Sequence, residues 1–271
     1  MNYSKAKNIK FNNPGDFDFM IQYAETDKRS HVYEIELHTH EELEIYINLT
    51  GDVSFLVENN LYPLGRGDII VARPGEHHHC VYRSEALHKH FWILLRYEKD
   101  KELFEFLKDL DVNFISPPGK VKNEIIDLCY SMLNEDLQKL DKFYCFLRLM
   151  KILKMSKKDN IEVNYLPEEF TKVLEYIDEH ITENLKVTDI ANTFFLSEST
   201  IERRFREYLE IKPLEFIRKK KMILAAELLR KGQTVLNAGM SVGYGDSSHF
   251  IKLFKRYYGM TPMKYKSIRN K

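Results

Sequence analysis

The chain has 271 residues, of which 44% are hydrophobic and 30% charged; that is enough apolar material for folded cores, at a length that suggests two domains. Its 41 Lys+Arg balance 41 Asp+Glu, yet from position 165 onward there are 19 basic against 14 acidic residues, leaving 22 against 27 before it, so the parts carry +5 and −5. A basic half joined to an acidic one suggests that the C-terminal part meets a polyanion.

Cys80, Cys129 and Cys145 are odd in number and form no CxxC pair, which argues against a disulfide framework or a cysteine zinc site and for reduced, buried thiols. The longest apolar runs are as short as "FWILL", and the start "MNYSKAKNIK" is polar. Neither a signal peptide nor a membrane span is expected, so the reading is a cytoplasmic protein with no membrane partner.

From about 32 to 95 the pattern is short apolar or alternating runs divided by turn residues: "LEIYINLTG", "VSFLVENNLYPLGRGD", "IIVARPGE" and "HFWILLRY". This predicts an all-β domain, with Asn59-Asn60 as a tight hairpin turn and Gly65 and Gly67 breaking the next connection. Within it, "HTHEELEIYINLTG" reads as a strand carrying His38, His40 and Glu44. Residues two apart on an extended chain point to one face, which Glu44 can share. With His78 from a paired strand these four make a three-nitrogen, one-carboxylate set suited to Zn, Fe, Mn or Ni. His77 and His79 alternate away from His78, to the outer face or a loop. Tyr46 and Asn48 continue the Glu44 face and can line a pocket, although Tyr46 can equally pack as a core aromatic.

"SPPGK" at 116–120 ends this segment, and from 121 to 156 apolar residues recur at helical spacing, predicting amphipathic helices. They either mediate a dimer or cover the barrel. "SKKDN" at 156–160 reads as a linker, and Pro167 opens a helix whose Phe170, Leu174, Ile177 and Ile181 share a face.

The basic third then repeats itself at an offset of 49 residues: "SESTIERRFREYLEIKPLEF" from Ser197 and "DSSHFIKLFKRYYGMTPMKY" from Asp246. Ser197 and Asp246 are helix N-caps; Ile201 matches Phe250, Phe205 matches Phe254, Pro213 matches Pro262, and Phe216 matches Tyr265. Short helices in "VTDIANTFFL" and "VLNAGMSVGYG" precede the copies, and "PLEFIRKKKMILAAELLRKG" between them reads as a long helix ending at Gly232. The prediction is a duplicated helix-turn-helix. Away from the buried pairs lie Ser199, Glu202, Arg203 and Arg206 on one copy and Ser247, Ser248, Ile251, Lys252 and Lys255 on the other. Arg can bond guanine bidentately, Ser and Lys can reach base edges or phosphate, and Ile can meet a thymine methyl.

"VGYGDSSHFIKLFKRYYGMTPMKY" resembles the C-terminal signature of the AraC family of bacterial transcription regulators, and the resemblance covers roughly 168–268. It implies two recognition helices in successive major grooves of double-stranded DNA, held by the linker helix. The chain departs from the family at Glu210, in place of a usual glycine; at Phe195, in place of a common glycine; and at Ala238-Gly239, in place of a large apolar residue plus alanine.

The N-terminal domain resembles the cupin-type sensor barrel common in that family. His38, His40, Glu44 and Gly51 fit the first cupin motif. Gly67, Gly75 and His78 fit the second, in which Arg73 replaces the proline and Tyr82 the asparagine. The expectation is therefore a multidomain protein. A cupin-like β-barrel sensor occupies 1–115, a helical dimerisation or linker segment 116–162, and an all-α domain with two helix-turn-helix motifs 163–271. A small effector binds at His38, His40, Glu44, Tyr46 and His78; no cofactor is required, although a divalent metal can bind His38, His40, Glu44 and His78. A homodimer is expected, and RNA polymerase is a further partner such a regulator can contact. Two rivals stand beside this reading. One is a metal-dependent cupin enzyme with a helical appendage, which leaves the repeat unexplained; the other is a DNA-binding protein whose barrel is only an interaction module.

Overall fold

In "FDFMIQYAET" apolar residues fall at every second position, so one face of the strand is fit for burial and the other for a mixed interior. The computed structural model describes residues 7–12, 17–26, 37–50, 52–97, 112–156 and 165–269. They fall into two units, Met1–Tyr165 and Leu166–Lys271. The strands of the first unit are β1 Lys7–Asn12, β2 Phe17–Thr26, β3 Leu43–Asn48, β4 Val53–Val57, β5 Asn60–Leu64, β6 Ile69–Ala72, β7 His78–Tyr82, β8 His88–Tyr97 and β9 Phe114–Ile115. They form a sheet of order β1-β2-β8-β3-β6-β9 and a second of order β5-β4-β7. This is the sheet-rich, cupin-like domain the sequence predicts, with β1 and β2 as strands the reading from position 32 did not reach. Positions 27–36, Gly51 and the 157–160 part of the linker lie outside the described residues.

Alternation sorts the first sheet into two faces. Phe19, Ile21, Leu43, Ile45, Ile47, Phe91, Ile93 and Leu95 join one core with Ile125, Cys129, Met132, Phe146, Leu149 and Leu153. The latter come from α1 Gly119–Leu133 and α2 Lys139–Ser156. Phe19 stacks on Phe146 at 4.0 Å. These helices therefore cover the sheet. On the opposite face Tyr46 and Ile70 meet Phe55, Tyr62 and Tyr82 of the second sheet in an interior of their own.

The hairpin turn sits one residue earlier than expected: Val57 pairs with Asn60, so Glu58 and Asn59 turn. Glu58 adopts φ 50°, and its carboxylate accepts bonds from the backbone N–H and the ring of His77. These bonds repay the strained backbone that Asn59-Asn60 would otherwise host. Asp68 ties the sheet to α1: its carboxylate accepts bonds from Gly65 N, Ser116 Oγ and Lys122 Nζ at 2.6–2.7 Å. All three cysteines are free; Cys129 and Cys145 are buried, but Cys80 is only half-buried.

In the second unit, α3 Glu168–Glu179 follows Pro167 and buries Phe170, Val173, Leu174 and Ile177. It stops before Ile181, which lies in the turn beyond and not on the helix face. Next come α4 Val187–Thr193, α5 Glu198–Leu209, α6 Pro213–Arg230, α7 Val235–Ser241, α8 Ser247–Tyr258 and α9 Pro262–Arg269. The repeat is visible atom by atom. The Ser197 side chain accepts from Thr200 N, and the Asp246 side chain accepts from Ser248 N and His249 N. Ile201, Phe205, Phe250 and Phe254 are wholly buried. Both α5 and α8 end on a left-handed residue, Glu210 at φ 54° and Gly259 at φ 66°. Pro213 and Pro262 then open the next helices, where a missing N–H costs nothing.

Lys221 on α6 joins the halves of this unit. Its buried ammonium donates to Ile181 O, Glu183 O and Val242 O at 2.8, 2.5 and 2.7 Å. Burial draws its pKa down to about 8, which leaves it protonated at neutral pH. Gly243, at φ 80°, lies alongside; a Cβ there would stand 2.7 Å from Thr182 O.

The third departure, at Gly239, has a packing cause: an added Cβ would stand 2.9 Å from Cδ1 of the buried Phe250 ring. Gly239→Ala should lower stability by roughly 1 kcal/mol, because overpacking of about 1–3 kcal/mol exceeds the helix-propensity gain of about 1 kcal/mol. Urea denaturation of the full chain reads the change; a stabilised variant would show that Phe250 yields freely.

Candidate ligand cluster and nucleic-acid interface

His38 and His40 precede β3 and are not part of it. His38 is fixed by an isolated bridge to His78, through His38 N to His78 O at 3.2 Å and His78 N to His38 O at 3.0 Å. This pairing brings the leading segment over β7, while Glu44 arrives from β3. Ligand atoms of His38, His40, Glu44 and His78 lie within 4.8 Å of one another.

The hydrogen bonds fix which ring nitrogens face inward. His40 Nδ1 meets Glu42 O and His78 Nδ1 meets Glu76 O, both at 2.9 Å. A carbonyl only accepts, so each Nδ1 carries a proton and each neutral ring presents its Nε2 lone pair. Those lone pairs converge on Glu44 Oε2, from His40 at 3.1 Å and His78 at 3.4 Å. Acceptor facing acceptor is repulsive unless a proton or a cation lies between. Burial alone would raise the Glu44 pKa, but the close His40 and His78 rings, with the charge of His78 and His38, hold it well below the usual carboxylate range. Burial would lower His78, and the Glu44 carboxylate outweighs it and raises that pKa. The buried His78 Nε2 has no hydrogen-bond partner of good geometry. Ligands 2.0–2.2 Å from a tetrahedral ion stand roughly 3.4 Å apart, so these residues fit a divalent cation with little movement.

Farther along the same inner face lie three polar residues: Tyr46 and Asn48, which the strand pattern places there, and His90, which it does not single out. Tyr46 and Asn48 follow Glu44, Asn48 pairs across the sheet with His90, and His90 stacks on Tyr46 at 4.7 Å. Tyr46 OH, Asn48 Oδ1 and His90 Nδ1 are buried without partners, although Asn48 Nδ2 donates to Leu64 O and Gly65 O. Burial lowers the His90 pKa to about 4, so the ring is neutral. The alternation in "HKHFW" was the signal that could have found His90. His77 sits in the loop before β7. His79 pairs with Leu56 on the strand's other face and is buried there at 5% exposure, not solvated.

On α5, Ser199, Glu202, Arg203 and Arg206 are all exposed, as are Ser247, Ser248, Ile251, Lys252 and Lys255 on α8. Arg203 pairs with Glu207 at 3.2 Å, an exposed contact that a stronger anion can displace. Arg204 instead turns inward toward Glu169. Acidic residues interrupt α5 at Glu198, Glu202 and Glu207, whereas α8 has none in "SSHFIKLFKRYY". The second copy therefore presents the more positively charged helix.

Comparison with known proteins gives two family-model matches: an AraC-like ligand binding domain over residues 21–160 and a helix-turn-helix domain over residues 190–268. The chain is 24% identical to the "Uncharacterized HTH-type transcriptional regulator YdeC" of Bacillus subtilis, over 87% of each chain. It is 23% identical to the HTH-type transcriptional activator RhaR of Mannheimia succiniciproducens, over 89% of this chain and 90% of that one. Among solved structures, a DNA-binding transcriptional dual regulator from Escherichia coli K-12 is similar at 28% identity over 40% of this chain and 97% of that one, with a TM-score of 0.36.

Proposed function

The chain belongs to the AraC family of DNA-binding transcription regulators, and from that premise we propose that it reads DNA with α5 and α8 while its N-terminal barrel senses a small effector and performs no chemistry. The observation that carries the DNA reading is the duplicated helix-turn-helix, with each second helix capped, anchored by two buried residues and presenting a free polar face. The barrel reading rests on the histidine–glutamate cluster and on Tyr46, Asn48 and His90 beyond it, whose unpartnered atoms call for a ligand that supplies hydrogen bonds. His38, His40, Glu44 and His78 would hold a divalent cation, which would offer the effector a positive anchor. We further infer a cytoplasmic homodimer. Leu140, Tyr144, Leu147 and Met155 share one exposed face of α2, opposite the side that covers the sheet.

The test is fluorescence anisotropy of the full chain on duplex DNA from its own upstream region. Affinity should fall steeply with rising salt, since lysines and arginines displace counterions. Arg203→Ala should cost about 1–3 kcal/mol and relax sequence preference at one half-site, and Lys252→Ala should act at the other, about 34 Å away. No binding even at low salt would sink the regulator reading for this chain. Equal footprints for wild type and both variants would refute the two-helix geometry.

A further inference from the structure

The two helix-turn-helix copies turn by the same hydrogen bonds but with different residues. In the first, Phe195 N donates to Asn192 O and Leu196 N to Ala191 O; in the second, Gly243 N donates to Met240 O and Tyr244 N to Gly239 O. Phe195 and Gly243 thus occupy the same place, two residues past the first helix, and both are left-handed, at φ 53° and φ 80°. Glycine takes that conformation freely; phenylalanine takes it against the clash of its own Cβ. Such strain is ordinarily offset by packing of the side chain, yet the Phe195 ring is 95% exposed, the most exposed large apolar side chain among the described residues. The fold gains nothing from this ring, and its backbone suffers for it. A strained, unpacked aromatic is an observation that asks for a partner.

Its position names the partner. Phe195 stands two residues before Ser197, the N-cap of α5. The N-terminal residues of a recognition helix are the ones that meet base edges, so the turn just before them crosses the rim of the groove. We propose that Phe195 is a DNA-contacting residue whose ring docks on the deoxyribose and thymine-methyl surface bordering the groove that α5 enters. The inference rests on the reading of α5 as a recognition helix. Sugar C–H faces and thymine methyls are the apolar part of that rim, and they bury a ring that water otherwise surrounds. The contact adds affinity without charge, so it should persist at salt concentrations that weaken the lysine contacts.

The test uses the full chain, a labelled duplex from its upstream region, and three variants. Phe195→Gly should weaken DNA binding on the order of tenfold while its thermal midpoint does not fall, since glycine suits the turn. Phe195→Tyr, which keeps the ring, should bind within about twofold of wild type. Unchanged affinity in Phe195→Gly overturns the proposal. So does a fall in reporter output with DNA affinity unmoved, which would assign the ring to a protein partner, and so does a lowered midpoint, which would make it structural. Arg203→Ala separates the two levels. If it alone loses affinity, the ring contact is refuted and the α5 reading survives; if neither variant loses affinity, α5 does not read DNA.

Discussion

Replacing Lys221 with methionine should lower the stability of the C-terminal unit by about 3–5 kcal/mol, a large part of what a domain of this size holds. Methionine matches the aliphatic stem but donates nothing, so Ile181 O, Glu183 O and Val242 O would be stranded together. Each stranded carbonyl costs about 1–3 kcal/mol, partly offset because a buried ammonium no longer has to be desolvated. The location makes the effect wide. One carbonyl closes the turn of the second helix-turn-helix and the other two belong to the segment leaving α3. Hydrogen exchange should therefore lose protection in both segments at once, and a loss confined to one of them, or below about 1 kcal/mol, would show that Lys221 is not the joint.

Loss of metal retention in a His38→Ala/His40→Ala variant is the second large effect expected. The wild type should keep close to one divalent ion per chain through dialysis, and the variant none, as elemental analysis would report. The pH dependence supplies a second reading. Without a cation, Glu44 has its pKa depressed from 4.5, so its contribution to stability is present above 4.5 and is lost as pH falls through the folded value. His78 has its pKa raised from 6.5, so its contribution is full below 6.5 and is lost as pH rises through the folded value. The Glu44–His78 pair should accordingly contribute most between about pH 4.5 and 6.5, whereas buried His90, lowered from 6.5 to about 4, removes stability as pH falls below 6.5. A cation needs neutral imidazoles, so its stabilisation should grow as pH rises past that window. Thermal melts with and without added Zn that keep the same pH profile would exclude the cation, as would full retention of metal by the double variant. Reporter output with effector response intact in that variant would exclude the sensing role.

Much of this architecture was legible because it follows from periodicity. Alternation from 43 to 95 marks strands, and the 49-residue repeat marks two copies of a motif whose caps and buried pairs could be named in advance. What periodicity does not carry was harder to see. The hairpin turn moved to Glu58-Asn59 because the Glu58–His77 contact is a long-range bond. The second turn is one residue longer than the first, so its first helix sits at an offset of 48, which a single fixed offset hides. That His38 and His40 approach by an isolated bridge depends on pairing with β7, which no local pattern announces. His79 has the alternation of an outward residue, but burial depends on what covers a face, and the sequence is silent on that.

Gly243 and Phe195 show how unevenly a duplicated motif is free to drift. At Gly243 the space for any side chain is already taken by Thr182 O, Glu183 O and the Lys221 ammonium, none of them part of the turn itself. Substitution there requires simultaneous change on α6 and after α3, so that position is locked by its neighbours' commitments. At Phe195 the side chain packs against nothing within the fold, so a residue that tolerates the left-handed backbone can replace it without disturbing the domain, and what changes is the contact with DNA. Variation between descendants of this chain should therefore accumulate in the first turn and spare the second, leaving one half of the motif as the anchor and the other as the part that evolution can retune.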